Sequence, residues 1–94
     1  METVDDLTIT YEEGDRVIVE QLDKVVLSKG AWATVLYKYR ELDRSSGDFG
    51  PAKFTLRRYQ KRKGVYRQQS KFNISSRDQA QRICDALLGW LDED

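Results

Sequence analysis

Two runs of alternating residues joined by a basic turn constrain this chain most. Residues 53–60 place Phe54 and Leu56 on one side and Lys53, Thr55, Arg57 and Tyr59 on the other. A period of two describes a strand and gives no continuous helical stripe. Residues 65–75 alternate again, with Tyr66, Phe72 and Ile74 on one side and Arg67, Gln69, Lys71 and Asn73 on the other. Lys61-Arg62-Lys63-Gly64 between them reads as a turn, so the two strands form a hairpin. With the oily sides together, the opposite face carries Lys53, Arg57, Tyr59, Arg67 and Lys71 side by side. Residues 51–77 hold nine basic residues and no Asp or Glu. A positive sheet face interleaved with aromatic rings suits a polyanion with flat bases.

The basic block is masked in the formal net charge of zero. Residues 1–28 hold eight acids and two bases, residues 29–77 thirteen bases and three acids, and residues 78–94 five acids and one base. Surfaces kept soluble by charge normally mix signs, so this segregation points to a partner. At 94 residues the chain makes one small domain with a modest core. One cysteine, Cys84, allows no internal disulfide, and no apolar run approaches the roughly 20 residues of a membrane span. The expectation is a soluble, cytoplasmic protein of a reducing compartment, without membrane contact.

The remaining segments extend the sheet. Residues 1–15 form an acidic N-terminal segment. Its first six residues have no period and read as disordered. Residues 7–11 alternate and fit either a hairpin strand or an unattached tail, with Glu12-Glu13-Gly14-Asp15 as the turn. Residues 17–28 carry two β-branched clusters, with a bulge or bend expected at Gln21-Leu22-Asp23. After the Ser28-Lys29-Gly30 turn, residues 31–43 alternate with Trp32, Thr34, Leu36, Lys38 and Arg40 on one side and Ala33, Val35, Tyr37 and Tyr39 on the other. Both sides begin apolar and end polar, so the pattern leaves the buried side open. Residues 44–51 compose a loop. Ser76-Arg77-Asp78-Gln79 fits a capping box, with Ser76 as N-cap. It opens a helix to about Leu91 whose stripe is Ala80, Ile83, Cys84, Leu87, Trp90 and Leu91. Leu88 widens that stripe beyond what one small sheet requires. The fold class is α+β: residues 16–94 form a ββββα domain, a curved antiparallel four-stranded sheet followed by one C-terminal helix, with room for an extra N-terminal hairpin.

Catalysis has little to work with. There is no His, one Cys cannot build a thiolate metal site, and no phosphate-binding loop is present. Cys84 reads as a small core residue, and Glu41 and Asp43 as ion-pair partners of nearby cations. The expectation is a non-enzyme with no metal and no cofactor. Binding is better supported, because Lys and Arg neutralise phosphates and aromatic rings stack on bases. The only helix is acidic beyond Arg82, which disfavours major-groove reading.

Lys29-Gly30, Trp32 opening a long strand, residues 51–59 (PAKFTLRRY) and residues 71–75 (KFNIS) running straight into a helix resemble the positive cofactor four family of transcriptional coactivators, especially its short bacterial members. The resemblance covers roughly residues 17–91. It implies a curved four-stranded sheet followed by a helix, a homodimer formed through helix and sheet edge, and single-stranded DNA binding with little sequence preference, in transcription regulation. The plant Whirly proteins share that architecture. For a bacterial protein the resemblance also implies a nucleoid-associated location. Carried onto this chain it implies Lys53, Arg57, Tyr59 and Lys71 as contact residues, with Trp32 and Lys38 from the preceding strand. Arg40, Lys61 and Arg67 complete the candidate set from charge and alternation alone. Phe72 stands where many members of that family have Gly nearby, and residues 1–15 match none of its pattern. DNA and RNA are not separated by these features. The competing reading is a protein-interaction module that takes an acidic partner on the same basic face.

Overall fold

The computed structural model describes residues 2–93. Five strands follow one another: β1 (Tyr11–Glu13), β2 (Arg16–Ser28), β3 (Trp32–Glu41), β4 (Lys53–Arg62) and β5 (Val65–Ile74), before helix α1 (Arg77–Leu91). They pair in chain order, all antiparallel, in one curled sheet. The α+β class holds. The sheet has five strands where four and an optional hairpin are expected. The added hairpin strand is Tyr11–Glu13, displaced from the alternating residues 7–11. Residues 8–10 instead satisfy their polar groups through side chains, as Gln21 Oε1 accepts from the Ile9 amide and Thr10 Oγ1 accepts from the Gln21 amide.

Local chemistry explains the joints. Lys63 (φ 52°) and Gly64 (φ 78°) both take the left-handed region, the requirement of the two-residue turn whose twist matches its strands. The long β2 shifts register between Gln21 and Asp23, where the bulge is expected, and again between Val26 and Ser28. Ser76 Oγ accepts from the Gln79 amide at 3.0 Å and caps α1. The return arm of the expected box lands one residue earlier, with Gln79 Oε1 accepting from the Ser75 amide at 2.7 Å.

The two faces differ from the expected arrangement in three respects. First, the core lies on the face of Ala33, Val35, Tyr37, Thr55 and Tyr59, and not on the Phe54–Leu56 face. Second, residues 2–9 are placed where disorder is expected for residues 1–6; Met1 itself lies outside the described residues. Val4–Asp6 form a 3₁₀ turn, and Val4 and Leu7 are buried against that core, with Ile9 beside them. These residues lie across the sheet as a strap, so this is the strap face. Third, a register shift at Arg58/Tyr59 exchanges the sides of β5. Tyr66 lies opposite Lys61 and Gln68 opposite Tyr59, whereas Lys71 lies opposite Arg57 and Asn73 opposite Thr55. Tyr66 therefore joins Tyr59, not Phe72 and Ile74, and Arg67 lies opposite Gln60 on the other face.

That other face receives α1 and is the helix face. The helix docks loosely, with no buried residue. Leu27, Leu36, Phe54, Leu56 and Ile74 of the sheet and Ala80, Ile83, Cys84 and Leu87 of α1 line an open apolar groove of about 420 Å³. Cys84, expected in the core, is exposed along it. The expected frayed end at Asp92–Asp94 lies partly outside the described residues; at Asp92 the amide still bonds the Leu88 carbonyl. The result is a plate of 50 × 39 × 17 Å. Its radius of gyration is 15.4 Å, where a compact chain of this length has about 12 Å. It exposes 6976 Å², where a monomer of this mass exposes about 5600 Å². No helix among the described residues is long and apolar enough to cross a membrane.

Candidate nucleic-acid interface

The nine residues singled out from the sequence divide between the two faces. Lys53, Arg57, Tyr59 and Lys61 of β4 and Lys71 of β5 lie on the strap face, while Trp32, Lys38 and Arg40 of β3 and Arg67 of β5 lie on the helix face. The division follows from direct opposition of residues in antiparallel pairs, which puts partners on one face.

On the strap face, Arg57 and Lys71 are direct cross-strand partners. Like charges so placed destabilise a sheet, and no carboxylate offsets this pair. Arg57 Nη1 donates to Gln68 Oε1 at 3.0 Å, while its Nε is buried without a partner among the described residues. Of the four ion pairs among the described residues, Lys53–Glu41 at 3.4 Å is the one that engages a cation of residues 51–77. Glu41 thus forms the expected ion pair; Asp43 instead accepts from the amide and hydroxyl of Ser45. Lys61 Nζ sits 5.3 Å from the centre of the Tyr66 ring, a cation–π distance.

The aromatic rings of this face are closed in. Tyr59 is 6 % exposed and its hydroxyl meets that of Tyr37 at 2.9 Å. Tyr66 packs edge-on against Tyr59 and donates from its hydroxyl to the Gly30 carbonyl at 2.7 Å. Tyr59, expected as an open stacking platform, is therefore covered while residues 2–9 are docked. From the sequence, the acidic residues 1–15 are expected to compete for the basic face by opposite, tethered charge; what the sequence does not signal is that residues 2–9 dock through the apolar Val4, Leu7 and Ile9. Side chains of the sheet and of the strap hold this segment, with Gln21 Oε1 accepting from the Ile9 amide. Lys24 Nζ donates to the carbonyls of Val4, Asp5 and Leu7 at 3.0, 3.0 and 2.8 Å. Glu2 Oε1 accepts from the Tyr66 amide at 2.6 Å. Asp6 Oδ2 accepts from the Thr3 amide and hydroxyl, which holds its carboxyl below the ordinary value of 3.8. The cap that Asp6 supplies is present above about pH 4 and is lost as pH falls below that range. The strap's apolar contribution comes from Val4 and Leu7, with Ile9 partly buried beside them.

On the helix face the rings are open. Trp32 is 40 % exposed with the Arg58 guanidinium 4.3 Å from its ring centre, and Phe72 is 52 % exposed. Arg40 pairs with Glu20 at 2.6 Å and lies over Phe49, so its charge is already engaged. Arg58 is the residue the sequence reading passed over. Its place beside Trp32 follows from Thr34 lying opposite it across β3 and β4.

Burial, followed by the Tyr59 hydrogen bond, raises the pKa of Tyr37 well above the ordinary 10.0. The neutral phenol is the form that folds. Its contribution is complete below pH 10 and is lost as pH rises through the raised value. Absorbance titration is expected to show Tyr37 ionising only with alkaline unfolding. Tyr37→Phe leaves the Tyr59 hydroxyl without its partner and lowers unfolding free energy by about 1–3 kcal/mol, measurable by denaturant melts.

Among the described residues no group of three or more Cys, Asp or Glu side chains is placed to hold a metal ion. Comparison with protein-family models, curated proteins and solved structures yields no match.

Proposed function

We propose that this chain binds single-stranded nucleic acid, DNA or RNA, without catalysis and with little sequence preference, through the basic β4–β5 ribbon. The observation that carries the reading is the unpaired charge of that ribbon, above all Arg57 facing Lys71 with a buried, unpartnered Nε. Two cations held together without a carboxylate make a seat for an anion. Phosphate oxygens placed between them would satisfy both and release counterions. Lys61 extends the row, Lys53 stands at its end in an ion pair with Glu41, and Trp32 with Arg58 offers an open stacking edge on the opposite, helix face. The resemblance of residues 17–91 to the positive cofactor four family supports the same reading, including a role in transcription.

The functional unit in this reading is a homodimer. The excess of roughly 1400 Å² over a compact monomer equals one partner's share of a large, stable interface. Leu87, Leu88, Trp90 and Leu91 are each at least half exposed beside the apolar groove. A second copy's helix supplies the matching apolar surface.

Titrating isotope-labelled protein with a 20-base oligothymidine and following amide shifts tests the placement. The largest shifts are expected in β4 and β5 around Arg57 and Lys71. Shifts confined to α1, or none, would overturn the assignment, and an acidic protein partner for the same face would take its place.

A further inference from the structure

Residues 2–9 cover the rings and one of the cations that a bound strand would use. The segment carries Glu2, Asp5 and Asp6 and no basic residue, and it lies on the face with the Arg57–Lys71 pair. Its apolar anchors, Val4 and Leu7, share one buried cluster with Tyr37 and Tyr59. Between Thr3 and Thr10 no backbone–backbone hydrogen bond joins it to the sheet among the described residues; the one such bond is at its tip, Glu2 N–H to the Gly64 carbonyl. Segments held by side chains and few backbone bonds open at low free energy. The clamp is Lys24, on β2 opposite Tyr37, whose ammonium spends all three protons on strap carbonyls.

From this arrangement, and resting on the single-strand reading above, we propose that residues 2–9 are an autoinhibitory strap, which a nucleic-acid strand displaces from the basic face. On displacement Lys24 passes from the Val4, Asp5 and Leu7 carbonyls to phosphate. Tyr59 and Tyr66 become available to bases. A strand therefore competes with a tethered acidic segment of the same chain. Lys71, exposed at the rim, is open before displacement and provides the first contact.

The test compares the natural chain with Val4→Ser/Leu7→Ser, which removes the anchors without adding charge. Affinity for a labelled 20-base oligothymidine is read by anisotropy, and amide hydrogen exchange of residues 3–9 in the natural chain is read with and without the oligonucleotide. The expected results are at least tenfold tighter binding by the variant and loss of protection in residues 3–9 when the natural chain binds. Binding with the strap's protection unchanged, or a folded variant with equal or weaker affinity, overturns the strap while leaving strand binding intact. Failure of both proteins to bind overturns the strand-binding reading itself, and the strap's role with it. The exchange measurement needs no variant, so it decides the matter even if Val4→Ser/Leu7→Ser does not fold.

Discussion

Lys71→Glu will stabilise the fold and weaken single-strand binding about fifty-fold at 50 mM salt. The two effects have one cause. Lys71 faces Arg57 directly, and replacing a like-charge cross-strand pair by an opposite pair gains about 0.2–1 kcal/mol. For binding, the change removes one cation and occupies a second. Counterion release makes each phosphate contact worth roughly one decade at 50 mM salt, so two contacts account for close to two decades. Thermal melts and anisotropy on the same preparation check both. A variant that is more stable and binds as well as the natural chain would show that the pair is a surface feature without a ligand.

Leu88→Asp is expected to convert the proposed homodimer to a monomer. Leu88 is 59 % exposed in the single chain, so the substitution removes nothing from the protomer's own core. In a helix-mediated interface it buries an unpaired carboxylate, which costs several kcal/mol and raises the dimer dissociation constant by at least a hundredfold. Sedimentation velocity distinguishes the two states, and emission from Trp90, 65 % exposed without a partner, will move to the red as the interface opens. An unchanged assembly state would place the dimer contact elsewhere; a natural chain already monomeric would remove the dimer from the account. With one ribbon per protomer, the proposed dimer is expected to bind long oligonucleotides more tightly than the monomer.

Much of the architecture is legible in the residues. The β4 and β5 segments alternate over whole strands, Lys63-Gly64 sits at the turn that needs positive φ, and Ser76 and Gln79 mark the helix start. The division of the candidate site between faces is not legible, for two physical reasons. Alternation fixes sides only while the register is unbroken, and the shift at Arg58/Tyr59 moves Tyr66 to the face of Tyr59 and Arg67 away from it. A bulge of one residue leaves no trace in a polar run such as Arg67-Gln68-Gln69-Ser70. The second reason lies in β3, where Trp32 and Leu36 on one side are matched by Ala33 and Val35 on the other, so only Lys38 and Arg40 against Tyr37 and Tyr39 point to the buried side. The cover on that side is Val4 and Leu7, set among acids in a stretch without periodicity. The helix stripe was readable as apolar, but periodicity cannot tell a stripe that meets its own sheet from one left for another chain.

The most direct test of the central claim is a titration of the natural chain with a labelled 20-base single strand and with its matched duplex, each at 50 and 200 mM salt. Four phosphate contacts on the ribbon predict a slope near −3 for a single strand, hence about fifty-fold weaker binding at the higher salt. Single-strand affinity should exceed duplex affinity at both concentrations. A duplex bound as tightly as the single strand, or no binding at 50 mM, would contradict the account.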